Sequence, residues 1–195
     1  MKGGFIQAFR KGNAITRLSA IILGLGNLAG KQIIKGILYL AMEVSFICFM
    51  IFKGMNCLAM LPGLGGREQQ EIWNEKLGVY EYVAGDNSLL ILLYGVATIF
   101  LIAAYVVLVM SSVKSAYNVQ SRLALGKHIN TFVEDVKSLF NENLHKLLLT
   151  LPVGGVLIFT ILPLIFMISM AFTNYSKVDS HLVLFDWVGL ENFKQ

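Results

Sequence analysis

Residues 89–110 read LLILLYGVATIFLIAAYVVLVM, 22 consecutive positions without a single charged side chain. At 1.5 Å of rise per residue, a helix of this length crosses a hydrocarbon layer of about 30 Å. Its few polar points are Tyr94, Thr98 and Tyr105. The run decides the fold class, because a soluble helix would carry a charged outer face. The composition agrees: 56% of residues are hydrophobic and 14% charged, with a mean hydropathy of +0.67. A soluble domain carries about 25% charged residues.

Two further apolar runs flank it. One covers residues 36–53, closed by Lys35 and Lys53, and the other residues 147–172. Pro152 and Pro163 lie inside the latter, where each removes one backbone donor and favours a kink. The expected fold is therefore an all-α membrane protein with three transmembrane helices. Residues 54–88 and 173–195 form the loop and tail on one side, and 1–35 and 111–146 the segments on the other.

Orientation follows from the basic residues. With Lys53 counted to the loop, the four non-span segments hold 6, 3, 5 and 2 Lys or Arg in chain order. The first and third are rich, so the positive-inside rule predicts an N-in, C-out arrangement in a bacterial cytoplasmic membrane. The net charge of +4 is spent beside apolar runs rather than in an aromatic-interleaved patch, so no nucleic acid is expected as a partner.

Within residues 1–35, Ile15, Leu18, Ile21, Ile22, Leu25 and Leu28 recur at helical spacing and predict a short amphipathic interfacial helix, interrupted by Gly24, Gly26 and Gly30. Thr131 and Glu134 have capping-box spacing, and Phe132, Val133, Val136, Leu139 and Phe140 trace an apolar face behind them. In the loop at 54–88, residues 62–66 form a turn, and Asp86, Asn87 and Ser88 are N-cap candidates for the second span.

Chemistry is sparse. Glu43 is the one charged residue inside a span and the candidate intramembrane polar site. A central carboxylate costs about 2.5–3.5 kcal/mol on insertion scales, so it needs a partner, a proton or a helix interface. His128 and His145 fall on the predicted inner side and His181 on the outer, so they share no metal. Cys48 and Cys57 are too far apart on one helix for a disulfide. No catalytic residues, metal site or cofactor site are expected, and the chain is not expected to be an enzyme.

The sequence LPVGGVLIFTILPLIFMISMAFTNYS at residues 151–176 resembles the opening transmembrane helix of sugar-importing ABC transporter permeases. Such permeases continue with an element like WVGLENF, found here at residues 187–193. Stretches GLGNLAGKQIIKG at 24–36, GDNSLL at 85–90 and KSAYNVQ at 114–120 resemble the extended N-terminus of the maltose/maltodextrin type. The resemblance implies a permease subunit for maltose or maltodextrin. Its partners would be a second permease, a cytoplasmic ATPase dimer that binds the ATP, and an extracellular sugar-binding protein. The family's Glu-Ala-Ala coupling loop does not occur in these 195 residues, so the reading is of the N-terminal half, with the tail expected to be truncated. The competing reading is a small membrane scaffold or regulatory protein.

Orientation is directly measurable. Single cysteines at Asn74 and Ser180 should label from outside, and one at Ser121 from inside only. Outside labelling at Ser121 would reverse the topology.

Overall fold

The computed structural model describes residues 4–175 and 184–194. Ser176, Ser180 and His181 lie outside the described residues. The chain is mostly helical, and among the described residues three helical stretches are long and apolar enough to cross a membrane: Ile33–Met60, Ser88–Ala124 and Leu144–Met170.

The first stretch is α4 (Ile33–Phe49), a π-helical turn (Met50–Gly54) and α5 (Met55–Met60). Lys53 does not end it; its amino group lies over the Tyr94 ring, 5.6 Å from the centroid. The second is a single helix of 37 residues, α6 (Ser88–Ala124), which outlasts the apolar run at Met110. Beyond that point Ser111, Ser112, Ser115 and Gln120 give it a polar character, while Ala116 keeps its profile low. The third is α8 (Leu144–Val156), a π-helical turn (Leu157–Ile161) and α9 (Leu162–Met170). Pro152 sits within α8, and Pro163 opens α9 directly after the widened turn. Proline withholds the N–H that the preceding turn expects, and a local π-turn is one way the ladder accommodates this.

The expectation of an all-α chain needs one amendment. Strands β1 (Gln70–Asn74) and β2 (Val79–Val83) form an antiparallel hairpin with Gln70 opposite Val83 and Asn74 opposite Val79. Trp73 faces Tyr80 across it, with ring centroids 5.0 Å apart in an edge-on arrangement. Both strands are almost wholly exposed, so the hairpin is held by its ladder and cross-strand pairs rather than by a core.

The chain divides into two units, Met1–Met50 with Leu101–Gly154 and Ile51–Phe100 with Gly155–Gln195. In the first, the N-terminal helices α1 (Phe5–Lys11), α2 (Ala14–Leu18) and α3 (Leu25–Ala29) lead into α4. The stripe from Ile15 to Leu28 is thus two short helices joined by a turn, not one helix. α7 (Phe132–Phe140) starts with a full capping box between Thr131 and Glu134. His128 Nε2 lies 2.9 Å from Glu134 Oε2, and that hydrogen bond together with the backbone N–H of Thr131 lowers the Glu134 pKa.

In the second unit, Leu64, Ile91, Leu92, Val96 and Phe185 form a buried cluster. Asp86, Asn87 and Ser88 divide their work. Asn87 Oδ1 caps α6 by accepting from the Leu90 N–H at 3.1 Å. Ser88 Oγ accepts from the Phe185 N–H at 3.2 Å. Asp86 clasps the loop: its Oδ2 accepts from the N–H groups of Gly66 and Arg67, both at 3.1 Å, and its Oδ1 pairs with the Arg67 guanidinium at 3.1 Å.

The two backbone hydrogen bonds, then the Arg67 side chain, hold the Asp86 carboxyl below its ordinary value. Its stabilising effect is therefore full above the unfolded carboxylate range, declines as pH drops below it, and is gone once pH has fallen through the lowered folded value. Amide hydrogen exchange at Gly66 and Arg67 should stay slow on acidification until that lower pH. In Asp86→Ala it should be fast throughout, and equal protection in wild type and variant would refute the clasp.

Candidate functional site

Glu43 is buried in the first unit at 7% exposure, and its partners come from two directions. Oε2 accepts from the backbone N–H of Leu23 at 2.9 Å, and Oε1 accepts from the Tyr105 hydroxyl at 3.4 Å. The Tyr105 ring stacks on Phe46, with centroids 4.0 Å apart and planes 6° from parallel. The carboxylate thus closes onto non-helical backbone as well as onto a neighbouring helix.

That backbone is residues 19–24, the turn between α2 and α3. Gly24 holds φ at +81°, a left-handed conformation that only glycine adopts without strain. Leu23 N–H goes to Glu43, and Gly24 N–H to Ser112 Oγ at 2.9 Å. Ser112 in turn donates to the Ser19 carbonyl at 3.2 Å. Ser19 Oγ accepts from Gly26 N–H at 2.8 Å. Gly26 also lies so close to Ala116 of α6 that a Cβ at position 26 would collide with the alanine methyl. The turn is stitched to α4 and α6 by side chains replacing the water its amides would otherwise bind.

A second tier lies beyond it. Asn27 donates to Gln32 Oε1 at 2.7 Å and to Ser115 Oγ at 2.8 Å, while Gln32 donates to the Asn130 carbonyl at 2.6 Å. Thr16 and the Asn13 N–H both donate to Gln120 Oε1, at 2.8 and 2.9 Å. Among the described residues, Asn27 Oδ1 is the buried side-chain polar atom left without a partner.

In the second unit, the segment from Phe185 to Phe193 folds back over the end of α9. Val188 and Gly189 N–H groups both donate to the Phe172 carbonyl, at 2.9 and 3.1 Å. Asn192 Nδ2 donates to the carbonyls of Ala171 and Thr173 at 3.0 and 2.8 Å. These are carbonyls that a helix end leaves without an intrahelical donor. Trp187 Nε1 reaches the Leu61 carbonyl at 3.0 Å, and a short 3₁₀ turn, Glu191–Phe193, closes the element.

No family model matches the chain, and no solved structure matches it. Curated proteins do. A maltodextrin transport system permease protein of Streptococcus pneumoniae is 30% identical over 180 residues, 90% of this chain and 38% of its own length. A maltodextrin transport system permease protein of Bacillus subtilis is 27% identical over the same share. A galactooligosaccharides transport system permease protein of Bacillus subtilis is 28% identical over 188 residues, 92% of this chain and 40% of its own length. These relatives are sugar-transport permeases. The chain spans about two fifths of their length. With three helices fit to cross a bilayer, it is a multi-pass protein of the bacterial plasma membrane type.

The permease-like motifs fall at telling places. Residues 171–174 and 187–193, read as two separate elements, make one docked structure through Phe172, Asn192 and the Thr173–Trp187 bridge. Stretches 24–36 and 114–120 supply Gly24, Gly26 and Ala116 of the turn beside Glu43, and Asn27, Gln32, Ser115 and Gln120 of the tier beyond it. Sequence reasoning singled out Glu43 but missed Ser19, Ser112, Asn27 and Gln32. The readable signal was Ser112, Ser115 and Val119 at helical spacing, marking one face of α6 as a packing face. His145 is exposed, Cys48 and Cys57 are free thiols, and no cluster of three metal-ligating side chains occurs among the described residues.

Removing the acceptor should separate shape from charge. Glu43→Ala strands the Leu23 N–H and should cost about 1–3 kcal/mol. Glu43→Gln keeps an acceptor for Leu23 and should melt near wild type in detergent. Equal destabilisation by both would show that the negative charge itself is required.

Proposed function

We propose that the chain is the membrane-spanning permease part of an ATP-driven, binding-protein-dependent importer of sugars, with maltodextrins as the substrate class. The observation that carries this reading is similarity over 90% of the chain to maltodextrin permeases of two bacteria. The galactooligosaccharide relative supports the broader class of short sugar chains.

The partners that follow are a second permease, a cytoplasmic ATPase dimer and an extracellular sugar-binding protein. The chain itself performs no chemistry on the sugar, and ATP hydrolysis belongs to the ATPase. Its N-terminus lies inside and residues 173–195 outside, as the 6, 3, 5, 2 distribution of Lys and Arg supports. The helices α1, α2 and α7 lie along the inner interface, with the apolar side chains Ile6, Phe9, Ile15, Leu18, Val133 and Phe140 exposed for lipid or a partner subunit.

The role of Glu43 in such a permease is to hold residues 19–24 in place. A sugar path needs several donors and acceptors around a common cavity with aromatic faces to stack on. Glu43 offers no such set, because both of its oxygens are already engaged within the chain.

A strain deleted for the gene and complemented with it decides the matter. Uptake of labelled maltodextrin should disappear on deletion, return with the complete gene, and require ATP and the binding protein. Uptake of an unrelated amino acid should not change. Normal maltodextrin and galactooligosaccharide uptake in the deletion strain would refute the assignment.

A further inference from the structure

In the first unit, the start of α4, the last turns of α6 and the strand of chain leading into α7 enclose an open cavity of about 570 Å³. Three cations line it, Lys35, Arg122 and Lys127, against one carboxylate, Asp135. Lys35 is paired to Asp135 at 2.9 Å, which anchors the lysine at the rim and neutralises one charge of each sign. Arg122 is braced by the His128 carbonyl at 3.2 Å and by Asn130 Oδ1 at 2.5 Å, hydrogen bonds to neutral groups that fix its fork and leave its charge uncompensated. Lys127 makes no ion pair among the described residues. The cavity therefore carries an excess of two positive charges, with Ser121 and Asn118 as neutral donors beside them.

Its depth is fixed by contacts between the two helices. The Tyr39 hydroxyl meets Ser111 Oγ at 3.0 Å, so these residues share a level. One turn further out on each helix, Lys35 and Ser115 line the cavity. The apolar run of α6 ends at Met110 and that of α4 begins after Lys35, so the cavity opens where hydrocarbon gives way to headgroups. Its surroundings are also oily: Leu125 in the lining is 68% exposed, and Ile33 and Ile34 beside it are 59% and 52% exposed. A small soluble anion needs no such border. A phosphate attached to acyl chains uses both halves, the cations for its oxygens and the apolar rim for its tails.

We propose that this cavity binds the phosphate headgroup of an anionic phospholipid, with Arg122 and Lys127 as the principal phosphate contacts and Leu125 against the acyl chains. The site stands apart from the sugar-transport reading and does not depend on it.

The test uses the complete gene product, purified in detergent and titrated with phosphatidylglycerol, phosphatidylcholine or glycerol 3-phosphate. Bound lipid is counted by native mass spectrometry. Phosphatidylglycerol should be retained in preference to phosphatidylcholine, and glycerol 3-phosphate should neither bind nor displace it. Arg122→Gln with Lys127→Gln should weaken phosphatidylglycerol about tenfold or more, at roughly 1 kcal/mol per lost cation. Lys11→Gln, which removes a cation outside the cavity, should not. Since Arg122 also braces the turn at 128–130, a second variant, Ser121→Glu, repels the headgroup while leaving those hydrogen bonds in place and should weaken retention similarly. Undiminished retention in Ser121→Glu and in the double variant overturns the proposal. Equal loss in Lys11→Gln does so too, since it reduces the effect to net charge. Binding of glycerol 3-phosphate as tight as the lipid would make this a free-phosphate site instead.

Discussion

Everything in the first unit turns on the need to satisfy backbone amides where water is scarce. Residues 19–24 leave helical geometry, and there the N–H groups of Leu23 and Gly24 turn from backbone acceptors to side chains. Non-helical backbone survives against membrane helices only where protein supplies the missing partners. Glu43, Ser112 and Ser19 supply them here, and Gly24 and Gly26 bring the backbone close enough to be reached. The charge that looked anomalous in an apolar span is thus an element of local architecture.

The second unit solves a related problem at a helix end. The carbonyls of Ala171, Phe172 and Thr173, just past α9, face a segment that returns with N–H and amide donors. One asparagine, Asn192, serves two carbonyls that would otherwise need water. Phe185 meanwhile enters the cluster around Leu64 and Leu92, so polar and apolar contacts secure the same stretch of chain.

Much of this was legible in the sequence, and the rest was hidden for physical reasons. Long uncharged runs announce membrane helices because a helix satisfies its own backbone in lipid, and each of the three runs overlaps one of the three long helices. Glu43 stood out as the lone intramembrane charge, yet its partner could not be read. That partner is the backbone amide of Leu23, a group every residue type but proline carries and no side-chain pattern marks. The hairpin at 70–83 was missed because strand residues exposed on both faces show no alternation. The continuation of α6 to Ala124 was hidden by its change from apolar to polar composition, which looks like a loop boundary. The clamp at 171–193 was legible only as two resembling motifs, since nothing local says that Asn192 will reach back to Ala171.

The short sequence distance between Glu43 and its first partner bears on biosynthesis. Leu23 precedes Glu43 by 20 residues, whereas Tyr105 follows it by 62. As the chain leaves the ribosome, the segment that caps the carboxylate is already made when α4 is delivered to the insertion machinery. The ring that completes the site arrives a whole helix later. Glu43 thus has one partner that precedes it in the chain, while Tyr105, and the Ser112 that holds the turn, belong to a helix made only afterwards.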